Sequence, residues 1–298
     1  MMTFNIKNIL VPLDFSKTSL NALNHATQIA KVKNAKLVLL NALEYIIPLE
    51  DRRAFSTSLS TAELSNTLEK NSNEQLEKLA TKLKNKGIKS VVTLTVYGGL
   101  SQRISETVID EKIDLVVMGT HGVSGFREFF IGSNTFKVIR DIKCPVLSVN
   151  KDAKAEPYKN ILLPYRDKRH SRENVDEAIG MAQMFGGKLN ILAVDTEFRK
   201  SHKKKLDLQV KQIIKFAERS GVKATGNVIE HVYVGETILK YAKRKKIDLL
   251  VIMSDLDRMD ITEYFTGPFA QQVVNHSPIP VLSVRPRVNP DKIDLTFY

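Results

Sequence analysis

The stretch KIDLVVM at residues 112–118 recurs almost unchanged as KIDLLVIM at residues 246–253. Each copy is a short run of Val, Ile and Leu, which is typical of a strand buried on both faces of a parallel sheet. Two further pairs recur in the same order, namely KNILVP at 7–12 with KNILLP at 159–164, and CPVLSV at 144–149 with IPVLSV at 279–284. Three matches in one order predict a duplicated unit of roughly 140–150 residues.

Within each copy, short apolar runs alternate with segments of helical periodicity, which predicts an α/β fold. The chain is therefore expected to form two tandem, doubly wound, five-stranded parallel sheets. The predicted domains are 1–150 and 158–286, followed by a tail at 287–298, with a linker at 150–157. The segment Tyr45–Ala62 lies outside the shared pattern and is interpreted as irregular; a flap and a surface for association with a second chain both stay open as its use. In the second copy, the third strand is predicted at 228–233.

Composition narrows the class of protein. Of 298 residues, 43% are hydrophobic and 26% are charged, which is typical of a globular chain. No apolar run approaches the roughly 18 residues of a membrane span, and the first residues lack the apolar core of a signal peptide. Cys144 is the one cysteine, which excludes an intrachain disulfide framework. We therefore expect a cytoplasmic protein without a membrane partner.

The formal net charge of +12 raises the question of a polyanionic partner. The charge is spread along the chain, because residues 1–150 hold 19 basic and 14 acidic side chains and residues 151–298 hold 26 and 19. The basic runs at 203–205 and 243–246 are interpreted as solvated helix faces. Trp is absent and aromatic residues make up 7%, so no stacking platform is evident and no specific nucleic-acid partner is predicted.

Two loops in the first copy follow predicted strands and are the candidate site. One runs from Pro12 to Ser16, and the other runs through the glycines of 119–125 to Gly132, where a helix is predicted to begin. Ligands of such sheets bind beyond the carboxyl ends of the strands. Glycines allow close backbone approach, and a helix N-terminus suits phosphate. Asp14 would repel phosphate and is assigned to the ribose or adenine edge. Taken alone, the glycines fit a tight surface turn as well as they fit a ligand-binding loop.

The spacing Gly119-x2-Gly122-x9-Gly132-Ser133 resembles the ATP-binding signature of the universal stress protein family, and VPLDFS at 11–16 matches that family's first loop. The resemblance covers nearly the whole chain as two tandem domains. It implies the universal stress protein fold, which is similar to that of adenine nucleotide alpha hydrolases, and a bound ATP, ADP or AMP, with Mg²⁺ carried by the phosphates. By position it implies these nucleotide-binding residues: Pro12, Leu13, Asp14, Ala42, Met118, Gly119, Gly122, Gly132, Ser133 and Asn134. His121 lies in the glycine loop, where phosphate contact and a loop-structuring role both stay open.

The second copy departs from this pattern. Arg166 stands where the first copy has Asp14, and Ser254 and Asp257 are aligned with Gly119 and Gly122. Gly267 is kept, but the residue aligned with Ser133 is Pro268, which has no N–H to donate. The carboxylates of the segment 254–260 would repel phosphate. Their spacing lacks the glycine and final Glu of a calcium loop, so no metal site is predicted.

The leading hypothesis is a tandem universal stress protein that binds an adenine nucleotide in its first domain and acts as a stress-response sensor or regulator. No Ser or Cys has a recognisable base partner, and no Walker lysine or arginine finger is evident, so no catalytic residue is predicted. A nucleotide-independent interaction scaffold and a slow ATPase are the alternatives. The resemblance also implies that the two domains pair through their last strands as an intramolecular pseudo-dimer, with a homodimer as a further arrangement.

Overall fold

The computed structural model describes residues 4–44, 61–120, 133–165, 174–254 and 277–285. Its strands are β1 (Asn8–Pro12), β2 (Lys36–Leu43), β3 (Val91–Tyr97), β4 (Leu115–Gly119), β5 (Val146–Val149), β6 (Asn160–Tyr165), β7 (Lys188–Asp195), β8 (Ala224–Glu230), β9 (Leu249–Met253) and β10 (Val281–Val284). Its helices are α1 (Lys17–Lys33), α2 (Thr61–Asn85), α3 (Leu100–Asp110), α4 (Ser133–Asp141), α5 (Val175–Phe185), α6 (Lys200–Arg219) and α7 (Val234–Arg244). Strands and helices alternate, as the α/β prediction requires.

The chain divides into two compact units, and the first unit holds the described residues from Asn5 to Tyr158 together with 277–282. Its strands lie in the order β3-β2-β1-β4-β5, and each neighbouring pair is parallel. The middle strands are apolar and buried on both faces, as in β1, where Ile9, Leu10 and Val11 have no exposed surface. This burial explains why the runs of Val, Ile and Leu are continuous rather than alternating.

The second unit holds Phe4, 159–165, 174–254 and 283–285 among the described residues. Its strands β9, β6, β7 and β8 lie in that order and are again parallel. Asn160 pairs with Lys188 as Asn8 pairs with Lys36, so the first two strands of each unit share one register, 152 residues apart. The doubly wound α/β prediction is confirmed, and the pseudo-dimer arrangement of the two units stays a prediction.

The third strand of the second unit differs from its prediction. The sequence predicts 228–233, whereas β8 covers Ala224–Glu230 and pairs with β7 along its whole length. The early part was missed because Gly226 and Asn227 are turn-forming residue types. Packing explains the glycine, since a Cβ at Gly226 would lie 2.2 Å from Val210 Cγ1 of α6. Here tertiary packing overrides local propensity.

Several predicted features lie outside the described residues: residues 45–60 of the predicted flap, His121, Gly122, Gly132, the carboxylates at 255, 257 and 260, Gly267, Pro268, Arg166 and the tail 287–298. Thr61 and Ala62, the last two residues of the predicted flap, belong to α2 instead. Among the helices described, none has the length and apolar character needed to cross a membrane.

Candidate functional site

The candidate site lies at the carboxyl ends of β1 and β4. These strands are neighbours, with Ile9 paired to Leu115 and Leu10 to Val116. The chain leaves β1 for β2 on one side, whereas β4 continues to β5 on the other, so the strand order reverses between them. In open parallel sheets the crevice beyond such a reversal is where ligands bind. The two loops selected from the sequence therefore start at adjacent strand ends.

The first loop has a fixed path from β1 into α1. Leu13 N donates to Leu40 O at 2.7 Å, and Asp14 Oδ1 accepts from Ser16 N at 3.1 Å. Phe15 has a φ of 61°, a left-handed conformation that turns the chain sharply. Ser16 caps α1, because its Oγ accepts from Ser19 N at 3.2 Å. The Asp14 carboxylate, half-buried, is thus held at the start of the helix.

The end of β4 packs tightly on the first turn of α1. A Cβ at Gly119 would lie 2.8 Å from Thr18 Cγ2 and 3.2 Å from the Thr18 backbone carbon. Thr135 of α4 donates from Oγ1 to Gly119 O at 2.9 Å, and Thr120 N donates to Val149 O at 2.9 Å. Gly119 is therefore required by packing between β4 and α1, independently of any ligand. It also ties the start of α4 to the end of β4.

Most of the described site residues can offer a ligand only backbone groups or a small surface. Pro12, Leu13 and Met118 are buried, with Leu13 and Met118 each 3% exposed. Ala42 is half-buried in β2 and pairs with Val96 of β3. Ser133 and Asn134 form the first turn of α4, so their N–H groups stand at a helix N-terminus. Asp14 is the one predicted site residue in the described chain with an ionisable side chain.

The structure corrects the alignment of the second unit. Leu115 pairs with Ile9 and Leu249 pairs with Ile161, so β4 and β9 correspond with an offset of 134 residues. The residue in the place of Gly119 is therefore Met253, and Ser254 takes the place of Thr120. Consistently, Ser254 N donates to Val284 O just as Thr120 N donates to Val149 O. The prediction that Ser254 replaces Gly119 was wrong by one residue. The sequence comparison matched Met118 with Met253 because both are methionines, whereas strand pairing places Met253 at the position of Gly119.

The same edge of the second unit carries a different polar cluster. Asp195, at the end of β7, is fully buried and accepts from Glu197 N at 3.0 Å. His202 Nδ1 of α6 lies 2.6 Å from Asp195 Oδ1, and His202 Nε2 lies 3.6 Å from Glu197 Oε1. Burial raises the pKa of Asp195, but the hydrogen bonds from His202 and Glu197 N, together with the charge of His202, lower it further, so that the pKa ends below its ordinary value. The carboxylate is thus held in its ionised form beside a histidine.

Sequence reasoning missed a buried polar network behind the first loop. Asn41 of β2 and Ser72 of α2 are 7% and 3% exposed and hydrogen-bond to each other at 2.8 Å. An Asn inside the apolar strand KLVLLNAL is the signal that could have revealed it, because a buried amide requires partners.

The described residues contain no group of three or more His, Cys, Asp or Glu side chains arranged to hold a metal ion. Cys144 is half-buried, and burial raises the pKa of its thiol to about 12. Such a thiol is almost fully protonated at neutral pH, which makes it a poor nucleophile or metal ligand.

Comparison with known proteins gives one family for both halves. The family model "Universal stress protein family" matches residues 5–150 and again 157–285. "Universal stress protein MJ0577" of Methanocaldococcus jannaschii is 32% identical over 161 residues, covering 50% of this chain and 98% of that protein. "Universal stress protein MJ0531" of the same organism is also 32% identical, over 148 residues, covering 50% of this chain and 84% of that protein.

A likeness in fold extends over the whole chain. The crystal structure of a universal stress protein from Archaeoglobus fulgidus covers 96% of this chain and 99% of its own, with a TM-score of 0.73 and 19% identity. The single-domain relatives match about half of this chain, whereas this structure matches both halves together. With both units matched by the family model and the strand order described above, the chain belongs to the universal stress protein family, as a tandem two-domain member.

Proposed function

We propose that this chain binds one adenine nucleotide, ATP or its relatives ADP and AMP, in its first unit and acts as a stress-response sensor or regulator in the cytoplasm. The observation that carries the proposal is the strand reversal between β1 and β4. There, Asp14 is held at one strand end and Gly119 leads from the other into the glycine pattern and α4. Backbone N–H groups at the start of α4 suit the phosphates, which would carry any Mg²⁺.

Asp14 has the chemistry for the ribose in this proposal. Its carboxylate accepts a hydrogen bond from Ser16 N, which fixes its orientation. It lies beyond the carboxyl end of β1, where an acidic side chain can accept hydrogen bonds from ribose hydroxyls. Phosphate is expected on the other side of the crevice, toward Ser133 and Asn134. The proposed role is binding and regulation, because the sequence shows no Walker lysine and gives no Ser or Cys a recognisable base partner.

Titration calorimetry of the full chain with ATP tests the proposal. We expect one site per chain. Asp14→Ala should weaken binding by about tenfold, the value of one hydrogen bond to a charged group. Arg166→Ala, at the same register of the second half, should leave affinity unchanged. Two equivalent sites per chain would contradict the single-site proposal. No binding of any adenine nucleotide would contradict it too and would favour the nucleotide-independent scaffold. Mass spectrometry of ligand released from purified protein distinguishes ATP from ADP and so tests turnover.

A further inference from the structure

Asn41 lies in β2, one of the buried strands of the first unit, and its side chain reaches the first loop. Its Nδ2 donates to Leu13 O at 2.6 Å, and its Oδ1 accepts from Ser72 Oγ at 2.8 Å. Asn41 is 7% exposed and Ser72 is 3% exposed. A polar group buried to this degree is costly to leave unpaired, so these hydrogen bonds fix the two side chains relative to each other.

The amide acts on the residue just before Asp14. Leu13 follows β1 directly, and its N–H already donates to Leu40 O. With Asn41 bound to its carbonyl, both backbone polar groups of Leu13 are held by β2. The chain then turns at Phe15, and the Asp14 carboxylate accepts from Ser16 N. Asn41 therefore fixes the backbone of Leu13, the residue that directly precedes Asp14.

Ser72 fixes which way the amide points. If the amide were turned around, Asn41 Oδ1 would face Leu13 O at about hydrogen-bond distance, and two acceptors would repel each other. The hydroxyl of Ser72, donated to Oδ1, favours the orientation that offers Nδ2 to the loop. Ser72 Oγ also lies 2.9 Å from Thr95 Oγ1 of β3. Helix α2 and strand β3 are thus connected to the first loop through one amide.

The second unit lacks this arrangement. In the shared register, Asn41 corresponds to Ala193, which is fully buried, and β6 continues to Tyr165 where β1 has ended. The second unit has its own buried amide, Asn190, but its Nδ2 donates to Ile161 O inside the sheet at 3.2 Å. The loop-holding amide therefore occurs in the unit that carries Asp14.

We infer that Asn41 and Ser72 are positioning residues for the nucleotide: they hold the Leu13 carbonyl so that Asp14 is presented to the ribose or adenine edge before the ligand arrives. This inference rests on the proposed function. A loop held in its binding conformation spares the ligand the entropy of ordering it, which increases affinity without a direct contact. Ser72 acts through Asn41, and Asn41 acts through Leu13.

The test combines hydrogen exchange with nucleotide affinity in the full chain. Asn41→Ala is expected to speed amide exchange at residues 13–16 by about tenfold and to weaken ATP binding by about tenfold, the factor that one lost hydrogen bond represents. Ser72→Ala is the milder variant, because it keeps the amide and removes only what orients it. Ser72→Thr keeps a hydroxyl and should restore part of the affinity lost in Ser72→Ala.

Asn190→Ala is the matched control, since it also removes a buried strand amide. It should lower the melting temperature without changing exchange at 13–16 or ATP affinity. Unchanged exchange at 13–16 in Asn41→Ala would overturn the inference whether or not nucleotide binds. Faster exchange with unchanged ATP affinity would overturn it as well. If the wild-type chain binds no adenine nucleotide, the proposed function fails, and exchange alone still decides whether Asn41 holds the loop.

Discussion

The two units share a sheet register but differ at the carboxyl ends of their strands. In the first unit β1 ends at Pro12, an amide from β2 holds Leu13, and Asp14 stands at the start of α1. In the second unit β6 extends to Tyr165, and a buried carboxylate, Asp195, lies at the end of β7 and pairs with His202. The core strands tolerate little change because they are buried on both faces, whereas the loops beyond them are free to diverge.

The ends of β4 and β9 show what one side chain changes. Because Gly119 has no side chain, α1 approaches β4 so closely that a Cβ on Gly119 would clash with Thr18. Met253 occupies the corresponding position in the second unit. The second unit therefore carries a side chain at the strand end where the first unit has none. The duplication has therefore preserved the sheet while the two strand ends have taken on different packing.

The largest expected effect is a loss of ATP affinity when the proposed site of the first unit is altered. Gly122→Asp places a carboxylate where phosphate is proposed to lie. At about 4 Å and an effective dielectric of 20, the repulsion is about 4 kcal/mol, which is close to a thousandfold in affinity. Calorimetry with ATP measures it, and a thermal melt checks that the variant folds.

Leu256→Asp is the matched control for that change, because Leu256 follows Gly122 in the sequence by 134 residues, the same offset that separates β9 from β4. It should leave ATP affinity unchanged. Equal ATP affinity in Gly122→Asp and the wild-type chain would remove the phosphate assignment, and a loss in both variants would mean that the second unit takes part in binding.

A smaller effect is expected on stability. Gly119→Ser introduces a Cβ against the Thr18 backbone and should lower the free energy of unfolding by about 1–3 kcal/mol through overpacking. Gly99→Ser is the control, because nothing lies within 4 Å of a Cβ at Gly99 and serine is a good N-cap. Denaturant titration of both variants measures the difference. Equal midpoints would show that the contact between β4 and α1 does not limit stability.

The smallest expected effect is a change in the stability of the first unit as the pH falls. His25 of α1 is fully buried, with Nδ1 2.7 Å from Tyr158 Oη and Nε2 3.3 Å from Ala153 O. Burial lowers the pKa of His25, and the hydrogen bond to Ala153 O opposes this only in part. Because the unfolded chain takes up the proton first, the stability of the first unit should fall as the pH drops below about 6.5.

The second unit should respond at lower pH. Asp195 has a lowered pKa, so it contributes stability above its unfolded value of about 3.9, and this stability is lost as the pH falls through the lower folded value. Hydrogen exchange at pH 7 and pH 5 should therefore show loosening around His25 and little change around Asp195. His25→Gln should remove the step in the first unit. Equal loosening of both units between pH 7 and pH 5 would contradict this account.

The sequence by itself determined the duplication and the α/β class. This was possible because strands buried on both faces require unbroken apolar runs, and helices between them require a 3.6-residue period. The two last strands follow from local chemistry alone, because they lie in the apolar repeats at 144–149 and 279–284. The loop positions of the candidate site followed as well, because parallel strands bring their carboxyl ends to one edge.

Tertiary structure decided what depends on neighbours distant in the chain. The bounds of β8 depend on the packing of Gly226 against α6. The residue of the second unit that corresponds to Gly119 is identified by strand pairing and not by residue type. The role of Asn41 depends on Leu13, 28 positions away, and on Ser72, 31 positions away. A lone polar residue in an apolar strand indicates that a buried hydrogen bond must exist, but only the fold supplies its partner, because the hydrogen bond joins segments that the sequence holds apart.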